Sequence, residues 1–184
     1  MMEEIIFERL AGNNLQLPIF ATAGSACFDL SACLTRKLFL IKNSSKMPFV
    51  FDISKEHQRN YDVDNIECIN PDIDPTLIID VNETILIPTG FKTSFNDWRV
   101  LKLFMRSSMA INGLILANSV GIIDSDYRGE VFMAVKNISN FSRQLRHGDR
   151  IVQALYEEVY RPKLIEGNVQ DTIRGAGGFG STGR

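Results

Sequence analysis

The chain has 184 residues, of which 45% are hydrophobic and 23% are charged, as in a globular domain with its own core. Its formal net charge is −2, so it lacks the broad basic field that binds nucleic-acid backbones, and we expect no nucleic-acid partner. No apolar run approaches the ~18 residues of a membrane span, and residues 1–9 lack the order of a secretory signal. We therefore expect no membrane partner, no secretion, and a cytoplasmic location (nuclear or inside a host cell for a eukaryotic or viral source).

The cysteine and histidine content narrows the chemistry further. Cys27, Cys33 and Cys68 form an odd set without metal-site spacing, which argues against a disulfide framework. Only His57 and His147 are present, so histidine triads and histidine-rich metal sites lack the residues that they need. Any acid–base chemistry therefore falls to carboxylates.

Short apolar or alternating runs, separated by turn signals, predict a chain built of strands. The runs span residues 84–87, 100–105, 113–116, 131–138 and 150–159. One short helix is expected after Arg106, through residues 109–111, ending near Gly113. This pattern is typical of a compact all-β sandwich or barrel.

Two regions depart from the pattern. Residues 36–80 are rich in Asn, Asp, Lys and Pro without a clear period, which predicts a long surface insertion with its own strand at residues 49–51. From Arg174 onward, the density of glycines rules out a stable element and predicts a flexible arm. The predicted organisation is one domain over residues 1–173, with the insertion at about 36–80, followed by the C-terminal arm 174–184.

Two acidic residues stand in segments that can carry chemistry. Asp124 follows an apolar run at what the Asp, Ser and Gly content predicts to be a hairpin corner, with Tyr127 beside it. A carboxylate fixed there can act as a general base, although an ordinary solvated β-turn has the same composition. Asp29 lies between apolar neighbours and needs a partner, either an arginine or a metal-bound water.

Three further segments suggest contacts with an anion. Arg106 opens the predicted helix with two serines, where free N–H groups favour phosphate, although a simple helix cap is an equal alternative. Gln153 can donate to phosphate or satisfy a backbone group. The glycine-rich arm lacks the lysine of a P-loop, yet its lone aromatic, Phe179, favours a lid that orders over a flat ligand rather than a merely flexible end.

In order and spacing, these segments resemble the five motifs of the trimeric deoxyuridine triphosphate nucleotidohydrolase (dUTPase) family. The matching segments are residues 24–30, 106–110, 118–130, 148–153 and 174–183. The resemblance implies a jelly-roll-type β-barrel with one short helix, assembled as a homotrimer with active sites at subunit interfaces. The implied reaction is hydrolysis of dUTP to dUMP and pyrophosphate with Mg²⁺. This reaction would limit uracil incorporation into DNA and supply dUMP for thymidylate synthesis.

The resemblance also implies a role for each matching residue. Asp124 would deprotonate the water that attacks the α-phosphorus, and Asp29 would hold Mg²⁺ through its water shell. The implied substrate contacts are Asn118, Gly121, Ile122, Ile123, Tyr127 and Phe132 for uracil and deoxyribose, Arg106, Ser107, Ser108 and Gln153 for the phosphates, and Arg174, Phe179, Gly180, Ser181 and Thr182 from the closing arm.

Two alternatives remain open at this point. A dCTP deaminase of the same superfamily shares an Arg-Ser-Ser segment and a triphosphate site. A dUTPase-like regulatory protein would act on an extra protein partner through the insertion, which is foreign to the minimal family pattern. Cys27 also departs from that pattern, since it stands where the family usually has glycine.

Overall fold

A computed structural model describes residues 3–35, 39–41 and 76–178 of the chain. The strand predicted at residues 49–51 and most of the predicted insertion lie outside these ranges, as do the arm residues Phe179, Gly180, Ser181 and Thr182. Among the described residues, no helix has the length and apolarity that a membrane crossing requires.

The described part of the chain is almost entirely β-structure, as predicted. In chain order its elements are β1 Ile6–Arg9, β2 Cys27–Ser31, β3 Phe39–Ile41, β4 Thr76–Ile79, β5 Thr84–Pro88, β6 Phe91–Ser94, β7 Arg99–Met105, α1 Ser107–Ile111, β8 Leu114–Leu116, β9 Gly121–Ile123, β10 Phe132–Asn137, β11 Arg143–Arg146 and β12 Arg150–Glu158. The five predicted strands correspond to β5, β7, β8, β10 and β12, and the predicted helix to α1.

Two four-stranded antiparallel sheets form the body of the domain. Their strand orders are β3-β5-β10-β8 and β2-β12-β7-β9, and two-stranded pairs β1-β6 and β11-β4 accompany them. Side chains alternate between buried and partly exposed along β5 and β10, as expected for strands with one face on a core. The core's largest fully buried side chains are Leu34, Ile79, Ile85, Ile87, Leu101, Leu103, Leu114, Met133, Ile151, Val131, Val135 and Val152.

The predicted hairpin corner at Asp124 is a turn but not a hairpin. The backbone N–H of Tyr127 donates to the carbonyl of Asp124 at 3.2 Å, which closes the turn. However, β9 before the turn pairs with β7, whereas β10 after it pairs with β5 and β8. The hairpin prediction is therefore wrong, because turn-forming composition does not specify which sheet the chain enters next. The chain crosses here between sheets, and the N–H of Val131 already bonds the Phe91 carbonyl.

Two short strands lie within the range predicted as an insertion. Strand β3 pairs with β5, and β4 pairs with β11. On β4, Leu77 and Ile79 are buried in the core, while Ile78 between them is 60% exposed. This stretch therefore has the alternation of a half-buried strand, which the surrounding polar composition masked in the sequence.

Candidate active site

Strands β2, β12 and β7 bring three of the predicted site residues to one end of a sheet. Asp29 on β2 lies opposite Gln153 on β12, and Gln153 lies opposite Phe104 on β7. Arg106 follows β7 directly, and its backbone N–H still donates to the carbonyl of Ile151 at 3.2 Å. Segments that lie far apart in the sequence thus place a carboxylate, an amide and a guanidinium side by side.

Asp29 is held by two arginines. Arg106 Nε lies 3.0 Å from Asp29 Oδ1, and Arg150 Nη1 lies 3.1 Å from Asp29 Oδ2. Arg106 Nη1 also donates to the carbonyl of Arg150 at 3.3 Å, so the two arginines are fixed relative to each other. The sequence alone allows either an arginine or a metal-bound water as the partner of Asp29, and the structure supplies arginine on both oxygens.

The Arg106 guanidinium keeps donors for a further ligand. A guanidinium has five N–H donors in a fixed fork, and the contacts to Asp29 and Arg150 occupy only Nε and Nη1. Ser107 and Ser108 are exposed in the first turn of α1, next to this guanidinium. Arg106 takes the N-cap position and makes no side-chain cap bond, so the alternative of a simple side-chain helix cap is wrong.

A cavity of about 510 Å³ opens beside these charges. The chain between β1 and β2 forms one wall, including Leu17 and Ile19, which are 51% and 71% exposed. Asp29 and Arg150 also line the cavity. The cluster therefore faces an open cleft rather than a closed core.

The second group of predicted residues lies on and around β9. This edge strand pairs only with β7 among the described strands, with Gly121 opposite Leu103 and Ile123 opposite Leu101. An added Cβ at Gly121 would lie 3.0 Å from the Leu103 Cβ, so glycine permits the close approach of the two strands. The outer side of an edge strand leaves backbone N–H and C=O groups for a ligand, and Ile122 there is 52% exposed.

Asp124 ends this strand and is exposed, whereas Tyr127 is half-buried over the following turn. The Tyr127 hydroxyl donates to the carbonyl of Glu130 at 2.9 Å, and a Cβ added at Gly129 would clash with this hydroxyl unless the ring moved. Burial, and to a smaller extent the charge of Glu130, raises the pKa of Tyr127, so its hydroxyl stays protonated. Asn118 precedes the strand and is exposed, and Phe132 is half-buried at the start of β10.

The two groups do not meet within one chain. Ile123 lies opposite Leu101, so Asp124 is level with Val100, while Arg106 lies six residues farther along the same strand direction. At about 3.3 Å per residue this is a separation of roughly 20 Å. Within one chain, Asp124 and Arg106 therefore lie at opposite ends of β7.

The C-terminal segment leaves the body of the domain after β12. The N–H of Val159 donates to the carbonyl of Trp98 at 2.8 Å, the last backbone hydrogen bond to the body among the described residues. Beyond it the chain is exposed and yet carries apolar side chains, at Leu164, Ile165, Val169 and Ile173. Arg174 lies in a local turn with its Nε donating to the Gly177 carbonyl at 2.9 Å. The structure places Arg174 away from the Asp29 cluster, on this exposed segment.

Sequence reasoning missed one residue of the Asp29 cluster, Arg150, and one buried carboxylate outside the cluster, Glu130. The sequence indicates only a turn at Arg150, although this residue binds Asp29. Glu130 is buried, and its Oε1 accepts the backbone N–H of Gly90 at 2.8 Å. For Arg150 the signal depends on the pairing of β2 with β12, which one sequence does not display.

Comparison with known proteins agrees with this arrangement. A family model described as dUTPase matches residues 73–183. The deoxyuridine 5'-triphosphate nucleotidohydrolase of Hahella chejuensis is 32% identical over 181 residues, covering 97% of this chain and 93% of the relative. The crystal structure of the dUTPase from Streptococcus mutans has a TM-score of 0.59 at 26% identity, over 88% of this chain and 98% of that one. The Staphylococcus bacteriophage 80alpha dUTPase with dUPNHPP has a TM-score of 0.68 at 17% identity over the full length of both chains, which shows the fold alone. The jelly-roll-type prediction is confirmed by these structures.

Proposed function

Since this chain belongs to the dUTPase family, we propose that it hydrolyses dUTP to dUMP and pyrophosphate at sites shared between subunits. The observation that carries the proposal is the cluster of Asp29, Arg106 and Arg150 with exposed serines beside it. Such a cluster provides directed donors for a polyphosphate, on a chain whose curated relatives are named for this reaction.

The phosphates bind on the Arg106 side of the site. The free donors of the guanidinium make charge-assisted bonds with phosphate oxygens, and Ser107 and Ser108 add neutral donors. Gln153, next to Asp29 on β12, reaches the same group of oxygens. Because Asp29 and the Arg150 carbonyl already hold Arg106, little side-chain freedom is lost when the substrate binds.

Asp29 fits a metal ion only through water. Among the described residues there is no group of three His, Cys, Asp or Glu that forms a metal cage, and both Asp29 oxygens already accept an arginine. Each carboxylate oxygen retains a lone pair for a metal-bound water, and Mg²⁺ characteristically keeps several waters. When bound to the triphosphate, Mg²⁺ would neutralise charge, as in dUTPases generally.

The β9 side of the site selects the base and sugar. Backbone N–H and C=O groups on the outer side of Gly121, Ile122 and Ile123 present fixed donors and acceptors to a uracil edge, with Asn118 beside them. Tyr127 covers the deoxyribose, and Phe132 completes the wall. A rigid edge strand favours discrimination, because a base with the wrong donor pattern leaves buried polar groups unpaired.

Asp124 deprotonates the attacking water, in a site to which two chains contribute. The separation of roughly 20 Å between Asp124 and Arg106 in one chain favours a site in which Asp124 of one subunit meets Arg106 of another. Heterologous contacts close into a ring when the rotation between subunits is a whole fraction of a turn, and a homotrimer formed in this way supplies equivalent sites. In-line attack at the α-phosphorus then releases pyrophosphate.

The arm closes the site over the bound nucleotide. Its exposed apolar side chains favour docking on a neighbouring subunit rather than contact with water. Arg174, Ser181 and Thr182 then bind the terminal phosphate, and Phe179 stacks on the uracil, with Gly180 permitting the close approach. Closure excludes water and strengthens each charge interaction inside.

Product analysis tests this function and separates it from the alternatives. Purified protein is supplied with Mg²⁺ and dUTP, dCTP or dTTP, and pyrophosphate and ammonia are measured. We expect pyrophosphate from dUTP alone, and loss of most of it in Arg106→Ala. Ammonia from dCTP would instead support a deaminase, and no turnover of any nucleotide would contradict the proposal.

A further inference from the structure

His147 links two segments of the chain to the turn between β11 and β12. Its Nδ1 accepts the backbone N–H of Leu34 at 3.1 Å, so the ring proton resides on Nε2. That nitrogen lies 2.6 Å from Asn14 Oδ1, to which it donates. Both ring nitrogens of a neutral imidazole are therefore used, and burial lowers the pKa of His147, which favours this neutral form.

The linked segments surround the Asp29 cluster. Asn14 begins the stretch that forms one wall of the cleft, and Leu34 continues the chain from β2, which carries Asp29. Within the turn, the N–H of Gly148 donates to the Ala32 carbonyl at 2.9 Å. The same imidazole thus holds the cleft wall, the extension of β2 and the turn together.

Arg150 follows this turn at a place where the strand ladder is interrupted. The pairing of β12 with β2 shifts register between Arg150 and Val152. At such a shift the ladder is locally disrupted, and other hydrogen bonds hold the backbone. The Asp149 carboxylate accepts the N–H of Arg146 at 2.8 Å, the Asp149 carbonyl accepts the N–H of Ala32 at 2.9 Å, and the Arg150 carbonyl accepts Arg106 Nη1 at 3.3 Å. The orientation of the Arg150 side chain, whose Nη1 lies 3.1 Å from Asp29, therefore depends on what fixes the preceding turn.

We propose that His147 is a positioning residue, which fixes the turn before β12 through Asn14 and Leu34 and so places Arg150 against Asp29. The inference rests on the proposed function for its consequence, since Arg150 is thereby held at the phosphate side of the site. His147 itself does not contact the substrate. Its effect on nucleotide binding is transmitted entirely through Arg150.

A double-mutant cycle with a structural readout tests this role. Affinity for dUPNHPP is measured by calorimetry in wild type, His147→Ala, Arg150→Ala and the double variant, and the unliganded proteins are crystallised. We expect His147→Ala to weaken binding by up to about tenfold, by no more than Arg150→Ala does, and to have no further effect once Arg150 is absent. In crystals of His147→Ala, the Arg150 guanidinium should no longer lie within hydrogen-bonding distance of Asp29.

Three variants keep the test decisive if His147→Ala folds poorly. His147→Asn retains an acceptor for the Leu34 N–H, His147→Gln retains a donor toward Asn14, and Asn14→Ala removes that link from an exposed position. We expect each to weaken binding less than His147→Ala. Ser142→Ala, which removes a bond to Asp80, is the control and should leave affinity unchanged.

The outcomes separate the inference from the proposed function. Additive effects in the cycle, or an intact Arg150–Asp29 ion pair in crystals of the His147 variants, would overturn the positioning role. A wild-type protein that neither binds dUPNHPP nor releases pyrophosphate from dUTP would instead overturn the proposed function. In that case the crystal structures alone still decide whether His147 places Arg150.

Discussion

Replacing Asp29 by Asn removes the negative charge between two guanidinium groups while keeping the size of the side chain. The contact with Arg106 is the more shielded, since the Arg106 and Asp29 side chains are 25% and 18% exposed. A hydrogen bond between charged groups in such a place contributes about 1.5–3 kcal/mol. Arg150 is 55% exposed, so screening by water reduces its contribution to about 0.2–1 kcal/mol.

The amide oxygen of the variant still accepts one weaker bond, which offsets part of the lost stabilisation. We therefore expect Asp29→Asn to lower the free energy of unfolding by about 1.5–3 kcal/mol. Urea unfolding at a fixed chain concentration measures the change, since oligomer stability depends on concentration. Glu8→Gln is the matched control: its contact with Lys92 spans 3.9 Å at a side chain that is 66% exposed. That variant should change stability by less than about 0.5 kcal/mol. The reasoning fails if Asp29→Asn costs no more than Glu8→Gln.

Three further predictions concern catalysis and pH. Asp124→Asn should reduce turnover by about 10²–10⁴ while dUPNHPP binding persists, and a rate within a few-fold of wild type would refute the base assignment. Deleting the residues after Ile173 should remove most dUTP turnover and leave the oligomer intact by light scattering, whereas dissociation would contradict a closing arm. Because the folded state lowers the pKa of His147, the unfolded state binds the proton more readily, so His147 destabilises the fold as pH falls below the ordinary value of about 6.5. The urea midpoint should fall between pH 7.5 and 5, and by less in His147→Asn; equal falls would exclude this contribution.

The strands with a strong local pattern were predictable from the sequence. Strand β10 alternates buried and partly exposed side chains, and α1 follows the Arg-Ser-Ser start and stops before Gly113. The family was likewise identified from its motifs, because residue type and order along the chain suffice for a resemblance. The local sequence pattern thus predicted the positions of these strands, of the helix and of the family motifs.

Pairing between distant segments was not predictable. The composition at Asp124 indicated a turn, yet β9 and β10 join different sheets, because pairing partners are chosen by tertiary packing rather than by turn residues. The contacts of Arg150 and His147 were not predicted for the same reason. Their partners, Asp29 and Asn14, lie 121 and 133 residues away in the chain. The separation of Asp124 from Arg106 also follows only from the register of β7 and β9.

The most direct test of a shared active site mixes two inactive variants. Asp124→Asn and Arg106→Ala chains, each inactive alone, are unfolded together in equal amounts, refolded and assayed for pyrophosphate release from dUTP. If Asp124 and Arg106 of each site come from different subunits, about one quarter of the interfaces in random mixed oligomers combine two intact residues. We predict recovery of about one quarter of wild-type turnover. Recovery of none, with mixed oligomers demonstrated by mass spectrometry, would contradict the shared site.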